Sequence, residues 1–224
     1  MPLLGKGALA IWNAITAEGE DDFYRWHNTE HMPERLGVPG FLRGRRWVSA
    51  TRPHDYFTLY ETESVDTIRS APYLARLNDP TPWTRGVLPN FRDTFRLGCR
   101  VAASWGRGEG GALLTLRLQG PRKMLSMAPE ASLALVRQLT GVIGVHLLEP
   151  APETTRIPTK EKELRGANPG EVGGAGGPEP WILLVECNDP ELAESVLRGP
   201  ISGFARQSET VSGTYRLQFS LDRE

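Results

Sequence analysis

HNTEH, residues 27–31, places two of the chain's four histidines four positions apart, with Glu30 beside the second. Histidine titrates near neutral pH, so it can pass a proton or offer a ring nitrogen to a metal. Three readings follow. Two histidines and a glutamate in this order match the H-x-x-E-H spacing of inverted zinc peptidases. The same side chains make an acid–base group if they point into a pocket, and a solvated polar face if they do not. On an ordinary α-helix His27, Glu30, His31 and Glu34 share one face, close to the apolar Phe23, Trp26 and Leu36.

A catalytic zinc needs a third protein ligand. His54 falls in an expected turn and His146 in the far half of the chain, so neither is well placed. Pro33, two residues after His31, would bend a helix that must hold the pair rigid. The zinc match therefore reads as accidental: no metal is assigned, and a metal-dependent hydrolase stands only as an alternative. RGRR, residues 43–46, is a small cationic cluster in which alternation sends Arg43 and Arg45 one way and Arg46 the other; surface ion pairs are its expected role. GEVGGAGG lacks the lysine and flanking strand of a phosphate loop. No serine sits in a nucleophile-elbow pattern. Cys99 and Cys187 lie in apolar stretches, fit no metal-binding spacing and read as buried thiols.

Hydrophobic residues make up 39% of the 224 positions and charged residues 24%, with a formal net charge of −1. That balance favours a folded chain with a real core and gives no reason to expect nucleic acid or an anionic membrane as partner. No apolar run approaches the ~20 residues that span a bilayer, and no signal peptide is evident, so a cytoplasmic protein is expected. A homo-oligomer is possible on the sequence alone.

The elements that must position HNTEH read as one unit met twice. GALAIWNAI is a strand, and EDDFYRWHNTEHMPERLG a helix with acids at its start and glycine at its stop. FLRGRRWVSA and DYFTLYETES form a strand pair, VDTIRSAPYLARL a helix, NDPTPWTRGVLPN an irregular stretch and FRDTFRLGCRVAASW a strand. This is the β-α-β-β-α-β order of the ferredoxin-like fold. After a GRGEGG hinge the order returns: ALLTLRLQ, PEASLALVRQLTG, VIGVHLLEP, WILLVECND, PELAESVLRG and TVSGTYRLQFSLD. Residues of about 150–180 are rich in Pro, Gly and charge and read as a flexible, solvated loop. The expected fold class is α+β: two ferredoxin-like units, 1–105 and 111–224, packed sheet to sheet as a pseudo-dimeric α/β barrel.

FYRWHNTEHMPERLGVPGFLRGRRW resembles the first helix and second strand of the dimeric α/β-barrel superfamily, most closely its EthD-like members and related uncharacterised bacterial proteins. The shared features are an aromatic-rich helix with a late histidine and then P-G-F, here Trp26, His31, Pro39, Gly40 and Phe41. The resemblance covers roughly residues 7–100. It implies ferredoxin-like units whose sheets close into a barrel, a pocket between sheet and helices, and a histidine serving there. Members of the superfamily include cofactor-free monooxygenases, polyketide cyclases, muconolactone isomerases and haem-handling proteins.

The expected function is binding of a small apolar or aromatic molecule, with cofactor-independent proton-transfer chemistry of cyclase, isomerase or monooxygenase type. His31 is the expected proton-transfer residue with Glu30 or His27 as its partner. Trp26, Trp47, Tyr60 and Trp12 are candidate pocket walls. The second unit has no counterpart of HNTEH, so a single site is expected in the first. A non-catalytic binding module is the other alternative.

Overall fold

The computed structural model describes residues 2–119, 129–166, 179–199, 201–202 and 209–224. Eight strands form a closed barrel: β1 (Gly7–Ile15), β2 (Phe41–Ser49), β3 (Asp55–Thr62), β4 (Phe91–Gly106), β5 (Ala112–Gln119), β6 (Val142–Pro150), β7 (Trp181–Cys187) and β8 (Glu209–Asp222). Around the ring they run β1-β3-β2-β8-β5-β7-β6-β4, every pairing antiparallel. Each half thus supplies a sheet with its strands in the spatial order 4-1-3-2. The halves join along their edges, β2 to β8 and β4 to β6, so neither sheet keeps a free edge.

Burial on both faces explains why these strands carry apolar residues in unbroken runs. On β1, Ala8, Ala10 and Trp12 point into the barrel, while Leu9 and Ile11 pack toward the helices. On β3, Phe57 and Leu59 face inward and Tyr60 outward. The inward residues of both halves form one core; Leu113, Leu148, Ile182 and Tyr215 are the second half's share.

One end of the barrel holds a buried charge network. Glu61 accepts from Arg43 Nε at 2.8 Å and Nη2 at 3.1 Å, and lies 3.0 Å from Arg45 Nη2. Arg45 Nη1 donates to Glu186 at 2.9 Å. Glu186 also accepts from the Gly110 amide at 2.9 Å and lies 3.3 Å from His146 Nε2. The expected alternation of RGRR holds, but Arg43 and Arg45 are 1% exposed and pair first with the buried Glu61 and Glu186. Arg43 alone also reaches the partly exposed Glu109 and the exposed Asp222 at the rim. Lining a closed barrel, they must find carboxylates inside it.

The helical layer over the first sheet departs from the sequence reading in three places. The first helix is α1 (Glu20–Trp26), a π-helical turn (His27–His31) and α2 (Met32–Leu36). Val65–Arg69 is a 3-10 turn leading into α3 (Ala71–Asn78), and the Pro-rich stretch expected to be irregular contains α4 (Pro82–Val87). Thr81 caps α4, its hydroxyl accepting from the Thr84 amide at 3.0 Å. Gly40, just before β2, has φ +90, and a Cβ there would meet Thr67 Oγ1 at 2.7 Å, so glycine is required.

The second sheet carries α5 (Pro129–Arg137) and α8 (Pro190–Arg198). Between β6 and β7 the expected solvated loop instead contains α6 (Pro152–Thr155) and α7 (Lys160–Leu164). Residues 167–178 of that expected loop lie outside the described residues. Thr154 and Thr155 are buried, and the segment packs tightly on Gly98 of β4: a Cβ there would lie 1.9 Å from Thr154 Oγ1. Composition suggested solvation; packing against the first sheet overrides it. Cys99 and Cys187 are free and buried. Among the described residues no helix is long and apolar enough to cross a membrane.

Candidate active site

A cavity of about 40 Å³ lies between the outer face of the first sheet and its helices, closed over by residues 152–166 from the other half. Its walls include Phe23, Trp26, Ile68, Leu77 and Phe91, with His27, His31, Tyr60 and Asn13 among them. That space admits about three water molecules.

The π-helical turn places the two histidines. Met32 N–H donates to His27 O, five residues back, widening the turn. Pro33 has no N–H for the next rung, and the Thr29 hydroxyl donates to Arg25 O at 2.8 Å. The rings of His27 and His31 then lie 5.6 Å apart at 36°. π-Turns recur at functional sites because they re-aim side chains.

His27 is buried, and its Nδ1 accepts from Arg46 Nη1 at 3.0 Å, which fixes the proton on Nε2 when the ring is neutral. Burial, then the charges of Arg46 and Arg35, hold its pKa well below the usual histidine value. His31 is half-buried and stacks on Trp26 with centroids 4.2 Å apart. Burial, with Arg35, His27 and Arg165 adding to it, likewise keeps its pKa well below the ordinary value, so the ring is neutral at pH 7.

Among the described residues, His31 Nδ1, Tyr60 Oη and Asn13 Nδ2 of this cavity are buried and have no hydrogen-bond partner. Buried polar groups are almost always paired, so this trio is left for water or a ligand. Burial pushes the Tyr60 hydroxyl pKa up despite the cation of Arg35, so it stays a neutral donor. Arg35 is buried, pairs with Glu161 of the covering segment and with Glu34 at 3.0 Å, and lies over the Tyr73 ring at 5.7 Å. Arg96 Nη2 donates to Tyr73 Oη at 3.3 Å.

Of the residues singled out from sequence, His27, His31, Trp26 and Tyr60 meet at this cavity. Glu30 does not join them. It accepts from Thr81 Oγ1 at 2.6 Å and Thr84 Oγ1 at 3.3 Å, tying the π-turn to α4. Trp26 Nε1 donates to the same Thr84 at 3.0 Å. Trp12 and Trp47 face the barrel interior because strand alternation puts them opposite the helix side. The metal reading finds no support: among the described residues no three His, Cys, Asp or Glu side chains cluster as ligands. His54 lies 3.0 Å from Glu20, and His146 is inside the barrel. Sequence reading passed over Asn13, Arg35 and Glu161. Asn13 interrupts an apolar strand with an amide, a detectable signal. Glu161 lies more than a hundred residues from its partner, beyond the reach of local pattern.

No family model and no curated protein matches the chain. Among solved structures it is similar to an anthrone oxidase-like protein, with TM-score 0.68 and 11% identity over 100% of this chain and 96% of that one. It is also similar to a protein described as a candidate monooxygenase from Lactobacillus acidophilus, with TM-score 0.57 and 8% identity over 97% of each chain. A haem-binding protein from Thermus thermophilus aligns with TM-score 0.55 and 10% identity over 98% of this chain and 93% of that one. At such identities the likeness shows a shared ferredoxin-like α+β barrel fold, and the chemistry has to be read from the site itself.

Proposed function

We propose that the chain binds a small, largely aromatic molecule carrying an acidic O–H or C–H group in the cavity beside His31, and transfers a proton there without a cofactor. The observation that carries this reading is that His31 Nδ1, Tyr60 Oη and Asn13 Nδ2, unpartnered among the described residues, line one cavity together with the aromatic rings of Phe23, Trp26 and Phe91. His31 is the proton acceptor. A neutral imidazole with a lowered pKa is a mild base, suited to a substrate that is already acidic, such as an activated phenol or a polyketide-like enol. Tyr60 and Asn13 supply hydrogen bonds to the oxygen on which charge develops, and Arg35, 2% exposed, stabilises that charge from the cavity wall. His27, engaged with Arg46, is a positioning residue that keeps a neutral ring beside His31.

The product follows from what meets the resulting anion: an isomerisation, a ring closure or reaction with dioxygen. The names of the similar structures, anthrone oxidase-like and candidate monooxygenase, favour the oxygen reaction. Benzene needs a cavity near 150 Å³, so a ring enters only when residues 152–166 or the α3 side chains Leu74 and Leu77 give way. We read residues 1–105 and 111–224 as a repeated unit of which the first keeps the site and the second completes the barrel and covers it.

The test is turnover under air across phenols and polyketide-like compounds, comparing the native chain with His31→Ala and His31→Gln. Loss of about a hundredfold or more in both variants on an active compound is expected. Unchanged turnover would remove His31 from the reaction.

A further inference from the structure

A second and larger cavity, of about 240 Å³, opens at the barrel mouth opposite the Arg43–Glu61–Arg45–Glu186 network. It lies at the barrel interior and shares only Asn13 with the His31 cavity. Trp12 and Phe95 are on its wall, their centroids 5.7 Å apart, with Thr115, Arg117 and Tyr215 beside them. From this cavity we infer a binding site for a small organic carboxylate with a flat apolar body, held by Arg117 against the Trp12–Phe95 wall.

Arg117 carries the inference. Its guanidinium lies 4.5 Å from the Phe95 centroid and 5.3 Å from that of Trp12. Among the described residues it makes no ion pair, whereas the barrel's other interior arginines, Arg43 and Arg45, are each paired with carboxylates. A half-buried arginine held by rings alone keeps its planar fork of donors for a carboxylate, which it can bind in bidentate fashion. Its pKa is lowered, first by burial, as expected of a cation whose counter-charge is missing.

Two further donors face the same space. Tyr215 is 2% exposed, and burial raises the pKa of its hydroxyl, which stays protonated. Thr115 Oγ1 accepts from Trp12 Nε1 at 3.2 Å, leaving its own O–H to donate inward. The acids at the rim do not compensate Arg117. Asp55 is engaged by Arg52 Nε at 2.8 Å, and Asp93 is exposed. The volume exceeds the roughly 150 Å³ of a cavity that binds benzene, so a benzoate-sized molecule is within its size.

The test is a calorimetric titration of the whole chain with benzoate, using neutral benzyl alcohol as the control and Trp fluorescence as a second readout. Benzoate is expected to bind and benzyl alcohol to bind at least about tenfold more weakly, as loss of a charge-assisted bidentate contact implies. Arg117→Gln and Tyr215→Phe are each expected to weaken benzoate; Tyr215→Phe keeps the test valid if the arginine variant folds poorly. His31→Ala is expected to leave benzoate binding unchanged, so this site stands or falls separately from the one beside His31. No benzoate binding, equal binding in Arg117→Gln, or loss in His31→Ala alone would overturn the assignment.

Discussion

Replacing Glu161 by Gln cuts the ionic tie between the covering segment and the helix that carries the histidines. The side chains of Arg35 and Glu161 are 2% and 5% exposed, so solvent screens their interaction little. Removing one partner of a buried pair generally costs about 3–5 kcal/mol, because the other charge is left uncompensated. Arg35 retains Glu34, at 3.0 Å but with 14% of its side chain exposed, which places the expected cost near the lower limit, about 3 kcal/mol. For a chain of this size that corresponds to a fall of roughly 6–12 °C in Tm, read by calorimetry or by denaturant unfolding at constant m. Adding Arg35→Met to Glu161→Gln removes the stranded charge and should recover most of the loss, since an apolar replacement of a buried pair is often neutral. A Tm change below about 2 °C in the single variant, or no recovery in the double, would refute the reasoning.

Other consequences are open to equally direct measurement. Burial acts to raise the Glu186 pKa, but hydrogen bonding from His146, the charge of Arg45 and the Gly110 amide outweigh it, bringing it down from 4.5 to about 2. Folded-state depression contributes stability present above pH 4.5 and lost as pH falls toward 2, an amount of about 3 kcal/mol; urea midpoints should decline across that window, and Glu186→Gln should flatten the decline. His27 and His31 behave differently: their lowered pKa values mean that the unfolded chain takes up protons the folded chain refuses. Stability should therefore fall as pH drops below 6.5, by up to about 1.4 kcal/mol per pH unit for each ring, and His31→Gln should remove one ring's share of that slope. Gly98→Ala sets a methyl against Thr154 Oγ1, at 1.9 Å before relaxation, and should destabilise by about 1–3 kcal/mol while exposing residues 152–166 to hydrogen exchange.

Much of this architecture was legible because the signals are local. Apolar runs bounded by turns marked the strands, and alternation correctly separated Arg43 and Arg45 from Arg46. The expectation that Trp26, His27, His31 and Tyr60 share a cavity rested on the helix that resembles the superfamily's first helix and on the aromatic strand beneath it, and the four do line one cavity. What escaped notice depends on distance in the sequence. Nothing near Glu30 announces that Thr81 and Thr84 will claim it, and alternation alone does not say which face of β1 or β2 looks inward; Trp12 and Trp47 prove to face the barrel interior and not the His31 cavity. The segment 152–166 looks solvated by composition. Its Glu161 and its buried threonines find their partners only once the two halves have closed the barrel.

The most direct measurement is ¹⁵N NMR of the histidine rings during titration with a compound the protein turns over or binds. The His31 Nδ1 resonance should start as an unpartnered neutral nitrogen at pH 6.5 and move on binding, while the His146 resonances inside the barrel stay where they are. A His31 signal indifferent to every bound compound, or one already protonated at that pH, would contradict the assignment of proton transfer to this residue.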